Sequence, residues 1–514
     1  MSDTEGRRKD TRDIVKGALV NLAGTLARSL NLILVFILGR LYGPEGIGLF
    51  LLARATVDIF SNLGILGMNH AVLTLAARRH AEGDADGMYR IVGQAVVTGL
   101  AVSFGVTVGL TLLAPWLTNT LFNKPELLQP LRIMTWVLPF WTLSAVLLFA
   151  TRALRVMQYE IIVKSIVEPA CTMLLAVLFY SLGLGLIGMY LAVLFAALAG
   201  ALAAIYCFDR MLSLKKLWRE LRLGKEQRRL CRFAVPIGLQ DLINELQKKI
   251  DIFLVGRYLS ADLLGIYGIA QEAAYSIRKI RQAFNPIFIP VISASHQNRD
   301  HTGMRLQYGN VTRWILILDI AYLMIVFLAG RSVMHLFGSE FVAGAAVLTI
   351  LSTAMAINGI VGVSELLTLT DKPWINLVNA IWSVLASAGL NLLLIPRYGI
   401  MGAACAVLIL NTVLNSARFI QVALLYKMQP FTRYHAKIVA ASILSIGAVW
   451  GARQALEAHG RAADLIALLA CWVLYFTLLS AFGTAPEERK IIERLRKWIG
   501  FGADRSSYRT DGKT

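Results

Sequence analysis

Long apolar runs, separated by short charged or Gly/Pro-rich segments, recur from one end of the chain to the other. A membrane-spanning helix needs about 20 mostly apolar residues, whereas the strands of an outer-membrane barrel are about 10 residues long and alternate in polarity. The pattern therefore predicts an all-α polytopic membrane protein with about fourteen transmembrane helices. The predicted helices lie near residues 14–38, 47–74, 91–114, 131–150, 159–181, 186–207, 233–256, 263–290, 311–329, 342–364, 375–395, 400–424, 436–453 and 462–482.

Composition agrees with a membrane protein, because 57% of the residues are hydrophobic and only 16% are charged. The apolar segment that follows the basic N-terminus is too long for the core of a signal peptide, so we expect it to be retained as the first helix. The five cysteines are scattered along the chain, and their spacing predicts neither a disulfide framework nor a metal site.

Basic residues are distributed unevenly between the two sides of the predicted helices. If the N-terminus is cytoplasmic, most lysines and arginines fall in cytoplasmic segments, which predicts that both termini lie on the cytoplasmic side of the bacterial inner membrane. The net charge of +19 then reflects topology and attraction to anionic lipids, and we expect no nucleic-acid partner. The opposite-side loops hold only Arg40, Lys124, Arg132, Arg257, Arg331, Arg397, Arg453 and Arg461.

Two pairs of segments match each other at nearly equal offsets. The segment LGRLYGPEGIGLFLLA (38–53) aligns with VGRYLSADLLGIYGIA (255–270) at an offset of 217 residues. The segment GLIGMYLAVL (185–194) aligns with GIMGAACAVL (399–408) at an offset of 214. Two such matches in chain order predict an internal duplication, with two six-helix lobes in the same orientation.

The duplication sets the predicted domain boundaries. Two basic segments, the linker between the lobes and residues 486–500, are amphipathic and are expected to lie on the inner membrane surface. The boundaries are 1–212 for the first lobe, 213–232 for a basic cytoplasmic linker, 233–430 for the second lobe, 431–483 for two further helices and 484–514 for a basic cytoplasmic tail.

Four motifs together resemble a known family. The motifs are GRLYGPEGIGLF, KIDIFLVGRYLSADLLGIYGIA, FNPIFIPVIS and NLLLIPRYGIMGAACAVL. Their order is similar to that in the polysaccharide-biosynthesis (Wzx-like) flippases of the multidrug/oligosaccharidyl-lipid/polysaccharide (MOP) exporter superfamily, which also contains MATE exporters and MurJ-like lipid II flippases. The resemblance implies a transporter that moves a lipid-linked oligosaccharide from the cytoplasmic to the outer leaflet by alternating access.

The resemblance also implies partners. We expect a polyprenyl-diphosphate oligosaccharide as substrate, membrane lipids and a polysaccharide polymerase or export machinery as partners, a monomer, no catalytic activity and no cofactor. Coupling to a proton, a sodium ion or the membrane potential stays open. The alternatives are a cation-coupled MATE-like drug exporter, a lipid II flippase and a non-transporting membrane component of polysaccharide assembly. Missing extramembrane domains disfavour an enzyme.

Arginines inside predicted helices are candidates for substrate binding. A charge at the bilayer centre costs roughly 2.5 to 3.5 kcal/mol on insertion scales, so such residues are expected to face the bundle interior or water. Arginine forks match the oxygens of a diphosphate, and the resemblance implies arginines in the cavity on these helices. The candidates are Arg28, Arg54, Arg278 and Arg281.

Acidic and lysine side chains in the same helices have two interpretations. Asp58, Asp241 and Asp251 are candidates for binding a coupling proton or sodium ion. Structural pairing is the alternative, because several charges lie three or four residues apart on a helix. The spacing pairs Arg54 with Asp58, Glu245 with Lys249, Lys248 with Asp251, and Glu272 with Lys279 or the seventh helix.

Two further predictions concern single residues. Glu168 and Asp319 are lone acids in apolar helices, and we expect both to be satisfied by local partners. The segment QEAAYSIRKIRQAF (271–284) is expected to be helical throughout, because a helix that ended before Arg278 would be too short to cross the membrane. A continuous helix places Gln271, Tyr275, Arg278, Gln282 and Asn285 on one face.

Overall fold

The apolar runs form helices throughout the part of the chain that the computed structural model describes. That part contains no β-strand, which confirms the predicted all-α class. The described residues are 30–220, 225–284, 301–361, 373–427, 429, 431–455 and 461–482. Arg28, the first half of the predicted first helix, residues 286–290 and the predicted surface segment 486–500 lie outside them.

The helices are numbered in chain order. The first nine are α1 (Leu30–Ile65), α2 (Met68–Ala71), α3 (Ala77–Ala81), α4 (Ala85–Trp116), α5 (Leu128–Thr135), α6 (Val137–Ala153), α7 (Gln158–Ile161), α8 (Glu168–Ser181) and α9 (Gly185–Met211). The rest are α10 (Leu214–Arg219), α11 (Lys225–Tyr258), α12 (Ala261–Tyr275), α13 (His301–Phe337), α14 (Ala345–Val361), α15 (Pro373–Tyr426), α16 (Arg433–Ala455) and α17 (Arg461–Ala481).

Most predicted spans correspond to these helices once the breaks inside α1 and α15 are counted. The backbone of α1 leaves the helix at Gly43, and that of α15 leaves it at Gly399. Both glycines have a positive φ, which costs other residues energy, and each break falls between two predicted spans. Among the described residues, ten helical stretches are long and apolar enough to cross a membrane. Neither α11, which carries many charges, nor the short α12 is among them.

Two boundaries differ from the prediction. The second half of the predicted linker is helical, because α11 begins at Lys225 rather than near residue 233. The expected continuous helix over residues 263–290 is wrong, since α12 ends at Tyr275 and residues 278–284 are helical again after a turn. The Ser276 hydroxyl donates to the carbonyl oxygen of Ala273 over 2.7 Å, and such a bond competes with the helical backbone. The shared face predicted for Tyr275 and Arg278 assumed a continuous helix and stays a prediction.

The chain forms two compact units, and the first comprises residues 1–276, 333–354 and 373–414. In this unit α1 packs on α11 and α12, and α9 packs on α8 and α6. A buried core joins Met68, Val92, Leu147, Val163 and Phe208. This grouping combines helices from both predicted lobes because α11 and α12 pack on α1. The lobe boundaries themselves stay a prediction.

The second unit comprises residues 277–332, 355–372 and 415–514. Its apolar core is formed where the middle of α13 packs on α16 and α17. Tyr475 of α17 is fully buried there, and its hydroxyl donates to the carbonyl oxygen of Ile317 over 3.4 Å. The boundary between the units in this part of the chain falls at Ser276, where the helix is interrupted.

The internal duplication is visible where α1 crosses α12 in the first unit. A Cβ atom on Gly48 would overlap the carbonyl oxygen of Ala261, and one on Gly265 would overlap that of Pro44. Both pairs are related by the 217-residue offset, so the two copies contact each other symmetrically. Small residues at a helix crossing allow the two backbones to approach closely.

Other duplicated positions keep the same contacts. Arg40 donates to the carbonyl oxygen of Leu336 over 2.7 Å, and its counterpart Arg257 donates to that of Thr120 over 2.7 Å. Aromatic pairs repeat as well, since Phe36 packs on Phe337 and Phe253 packs on Phe122. In the second matched segment, Gly185 and Gly399 both have a positive φ. The repeat is therefore visible in the structure as well as in the sequence.

Candidate functional site

A polar cavity of about 340 Å³ lies within the first unit. Four elements of the predicted first lobe form its wall, namely α1, α6, the segment from Lys164 through α8, and α9. The α9 side of the wall is apolar, and the charges come from α1 and from the start of α8. The lining residues with polar or aromatic side chains are Arg54, Asp58, Ser61, Trp141, Lys164, Glu168 and Thr172.

Arg54 is held in the wall from two directions. Its Nε donates to Oδ1 of Asp58 over 2.9 Å, and its guanidinium carbon lies 4.5 Å from the ring centroid of Trp141. Stacking on an aromatic ring and one hydrogen bond fix the plane of the guanidinium. The terminal Nη groups make no hydrogen bond with any described residue, and 38% of the side chain is exposed. Arg54 can therefore donate to a ligand.

Asp58 joins this arginine to a helix of the second copy. Lys249 of α11 places its Nζ 3.3 Å from Oδ2 of Asp58, so the carboxylate lies between two cations. The backbone carbonyl of Asp58 also accepts hydrogen bonds from Ser61 and Asn62. A carboxylate with two positive partners is well compensated and has little need of a further cation.

A second ion pair completes the charged wall. Lys164 lies 2.5 Å from Oε1 of Glu168, one helical turn away, and this confirms the expectation that Glu168 is satisfied locally. The carboxylate packs against Gly200 of α9, where a Cβ atom would overlap it. Both acids of the wall are therefore compensated by cations. The Nη groups of Arg54 can then donate to an anionic group in the cavity.

The candidate Asp251 lies in the protein interior. Its Oδ2 accepts hydrogen bonds from the Tyr267 hydroxyl over 2.8 Å and from the amide of Gln271, and its Oδ1 accepts from the backbone of Ile252. All of these groups are buried or part-buried. The predicted partner Lys248 is instead 3.0 Å from Glu245. Asp251 thus ties α11 to α12.

Two other charges of α11 find partners that spacing did not predict. Lys249 reaches Asp58 across the helix interface instead of pairing with Glu245 along its own helix. Asp241 lies 3.1 Å from Nε2 of His70, which belongs to α2. Interhelical partners replaced the expected local ones because both side chains point towards neighbouring helices, and a helical spacing rule cannot detect such contacts.

The remaining described candidates are not among the residues that line the cavity. Glu272 is exposed, and its charge acts on Arg54 and Lys249. Lys279 and the candidates Arg278 and Arg281 lie in the helical segment 278–284 and are partly buried. Because this segment follows the break at Ser276, these residues belong to the second unit. Their roles, and that of Arg28, stay predictions.

Some residues of the cavity were missed in the sequence. Lys164 and Glu168 are spaced by four residues on a helix, which is a usable signal for an ion pair. Trp141 gave no signal, because aromatic residues are common in apolar runs, and His70, which lies outside the cavity lining, belongs to no recognisable spacing. Only their packing against Arg54 and Asp241 distinguishes them.

Comparison with known proteins gives one family and two relatives. Residues 14–296 match the model of the family described as polysaccharide biosynthesis protein. The chain is 22% identical over 502 residues to stage V sporulation protein B of Bacillus subtilis (strain 168), covering 90% of this chain and 96% of that one. It is 24% identical over 360 residues to the succinoglycan biosynthesis transport protein ExoT of Rhizobium meliloti (strain 1021), covering 70% and 68% of the two chains.

The fold is also similar to a solved structure. The structure described as lipid II flippase MurJ, inward closed conformation, superposes with a TM-score of 0.75 at 14% identity. The match covers 92% of this chain and all of the other. With the helices described above, these similarities identify a multi-pass membrane protein with a transporter fold.

Proposed function

Because the chain belongs to the polysaccharide biosynthesis protein family, we propose that it is a flippase for a polyprenyl-diphosphate-linked oligosaccharide. It moves this lipid from the inner to the outer leaflet of the cytoplasmic membrane by alternating access. The transported glycan is a repeat unit of a surface or secreted polysaccharide. Family membership and the transport role in the name of the Rhizobium meliloti relative support this choice.

The observation that carries the proposal is the position of Arg54. Its guanidinium is fixed by Trp141 and Asp58, faces a polar cavity, and keeps its Nη groups available. A planar guanidinium binds two phosphate oxygens at once, and such charge-assisted hydrogen bonds are roughly twice as strong as neutral ones. A diphosphate group is the part of the substrate that Arg54 fits. The predicted ligands Arg28, Arg278 and Arg281 would contact the same anionic group at other stages of transport.

Charge distribution gives the proposed direction. With both termini in the cytoplasm, the helix ends that carry Arg40 and Arg257 face outward. Moving one negative charge outward across an inside-negative membrane releases roughly 2.3 kcal/mol per 100 mV. Export of a diphosphate is therefore favoured by the membrane potential itself. The expected partners are the membrane lipids and the polymerase that uses the exported lipid.

A reconstituted system tests the substrate class. Purified protein in vesicles is supplied with fluorescent polyprenyl-diphosphate oligosaccharides, and a membrane-impermeant quencher reports the fraction in each leaflet. The same vesicles are tested for exchange of cationic drugs against protons. We expect translocation of the lipid-linked glycans and no drug exchange. Drug exchange together with no movement of any glycan lipid would reject the proposal in favour of a MATE-like exporter.

A further inference from the structure

Asp319 lies near the middle of α13, inside a stretch that is apolar enough to cross a membrane. Only 1% of the residue is exposed. Neither carboxylate oxygen has a hydrogen-bond partner among the described residues. The sequence-based expectation that Asp319 is satisfied locally is therefore wrong, because no described side chain donates a hydrogen bond to it.

The surroundings of Asp319 are tightly packed. Its Oδ2 lies against Gly359 of α14, where a Cβ atom would overlap it, and a methyl group of Ile315 lines the same site. Next to it, α13 contributes Leu316 and Ile320 to the apolar core of the second unit. An ionised carboxylate is strongly disfavoured in such a place without hydrogen bonds, and a group of this kind binds a proton instead.

Other acids inside the helices do not share this property. Asp58 has two cationic partners, Asp251 accepts three hydrogen bonds, and Glu168 is paired with a lysine. Asp464, in the same unit as Asp319, is 2.6 Å from a guanidinium nitrogen of Arg453. The absence of a hydrogen-bond donor therefore distinguishes Asp319 from these four acids.

The elements around Asp319 supply few other ionisable groups. The sequence of α14 contains none, and α17 contributes Cys471 and Tyr475, whose hydroxyl is engaged with a backbone carbonyl. On α16, His435 has Arg313 as its charged neighbour. Arg281 is the cation whose charge acts on Asp319. Proton loss from Asp319 would thus give Arg281 an anionic partner.

We propose that Asp319 is a proton-binding site of this transporter. The carboxyl group holds a proton while α13 and α14 are packed at Gly359, and it releases that proton to water when this contact opens. Asp319 then becomes a carboxylate that attracts Arg281 and weakens the hold of Arg281 on an anionic substrate. A proton needs only one carboxyl oxygen, whereas a sodium ion needs several oxygen ligands. Use of this proton in export rests on the proposed function.

Infrared spectroscopy of the purified protein tests proton binding without any substrate. A protonated carboxyl group has a C=O band that disappears on ionisation, and labelling with carboxyl-¹³C aspartate shifts the band if it comes from an aspartate. We expect a ¹³C-sensitive band at neutral pH in the wild-type protein and in Glu168→Gln, and its loss in Asp319→Asn. Gly359→Ala should displace the carboxyl group and change the pH at which the band disappears.

Failure of both variants to alter the band would overturn the assignment, as would the absence of any ¹³C-sensitive band in the wild-type protein. The label is read in the unmutated chain and Gly359→Ala leaves Asp319 in place. The test therefore remains decisive if Asp319→Asn does not fold. Reversal of the band change by sodium at constant pH would point to a metal-ion site instead and would also reject a proton site.

A transport measurement separates this inference from the proposed function. For one proton exchanged per lipid, each pH unit across the vesicle membrane should change the steady-state leaflet ratio of the glycan lipid about tenfold. We expect this dependence in the wild-type protein and its loss in Asp319→Asn. A band lost in Asp319→Asn without any lipid movement would keep the proton site and reject the flippase. Lipid movement in the wild-type protein, with a band that Asp319→Asn leaves unchanged, would keep the flippase and reject the proton site.

Discussion

The two copies of the repeat place the same kind of side-chain pair at the same position. In the first copy, Nε of Arg54 donates to Asp58 one turn later on α1. In the second copy, the 217-residue offset leads to Gln271 and Tyr275 on α12, where the Gln271 amide donates to the Tyr275 hydroxyl over 3.2 Å. The geometry of the pair is kept, but its charge is not.

Burial explains the difference in chemistry. Arg54 faces the cavity with 38% of its side chain exposed, whereas only 2% of Gln271 is exposed. Gln271 is bound to Asp251, and the position equivalent to Asp251 in the first copy is Leu34, an apolar residue of the cavity wall. In one copy the scaffold presents a charge to the cavity, and in the other a polar network joins α11 to α12.

The largest effect is expected when the buried network is broken. Asp251→Ala leaves the Tyr267 hydroxyl and the Gln271 amide without their acceptor, which should lower the free energy of unfolding by about 3 kcal/mol. Asp58→Ala should cost only about 1 kcal/mol, because its cationic partners are partly solvated. Thermal unfolding in detergent compares the two, and equal losses would contradict the different roles of the two copies.

The crossing that relates the two copies should respond symmetrically. A methyl group on Gly48 or on Gly265 overlaps a backbone carbonyl of the other copy, so each Gly→Ala variant should lose about 2 kcal/mol. Gly105→Ala is the matched control, because a Cβ atom at Gly105 meets no atom within 4 Å. Thermal unfolding measures all three variants. A loss at only one of the two crossing glycines would show that the local symmetry has no energetic meaning.

Replacing the charged pair of the first copy by a neutral pair, as in the second copy, separates the contribution of the charges to substrate binding from their contribution to packing. The double variant Arg54→Gln with Asp58→Asn removes both charges and should reduce glycan-lipid translocation at least about tenfold, or about 1.4 kcal/mol. Its unfolding temperature should change little, because both side chains are partly exposed. Rates near those of the wild-type protein in the vesicle assay would mean that the charges of the first copy serve only structure.

The smallest effects are expected at the duplicated helix-end contacts. Arg40 and Arg257 each donate one hydrogen bond of 2.7 Å to a backbone carbonyl, and both bonds are exposed. Each Arg→Ala variant should therefore lose only about 1 kcal/mol of stability. Thermal unfolding again provides the measurement, and a loss as large as that expected for Asp251→Ala would show that these contacts do more than close helix ends.

Much of the fold was predictable because membrane helices are defined by local properties. The apolar runs located the spans, and the breaks at Gly43 and Gly399 fall where the sequence placed turns. The repeat was found from Gly48 and Gly265, which are small because two backbones meet there. Each of these features can be recognised within a short stretch of sequence, from the length of an apolar run, from a glycine or from a repeated spacing.

The candidate site was only partly predictable because its chemistry depends on tertiary contacts. The four-residue spacing predicted the bond between Arg54 and Asp58, but no pattern on one helix can show that Lys249 reaches the same carboxylate. Asp319 was misjudged for the same reason, since only packing on α14 shows that it lacks a donor. The break at Ser276 was missed because no glycine, proline or change of polarity marks it in this stretch of the sequence.

Arg54 is proposed to bind the diphosphate of the substrate, and a comparison of two matched arginines tests this role. Arg78 forms the same bond as Arg54, from Nε to an acid one turn later over 2.9 Å, but its side chain is 69% exposed and lies away from the cavity. The measurement is the initial rate of polyprenyl-diphosphate oligosaccharide translocation in vesicles with equal amounts of folded protein. Arg54→Ala should be at least about tenfold slower than Arg78→Ala, which should match the wild-type protein. Equal rates for the two variants would contradict the claim.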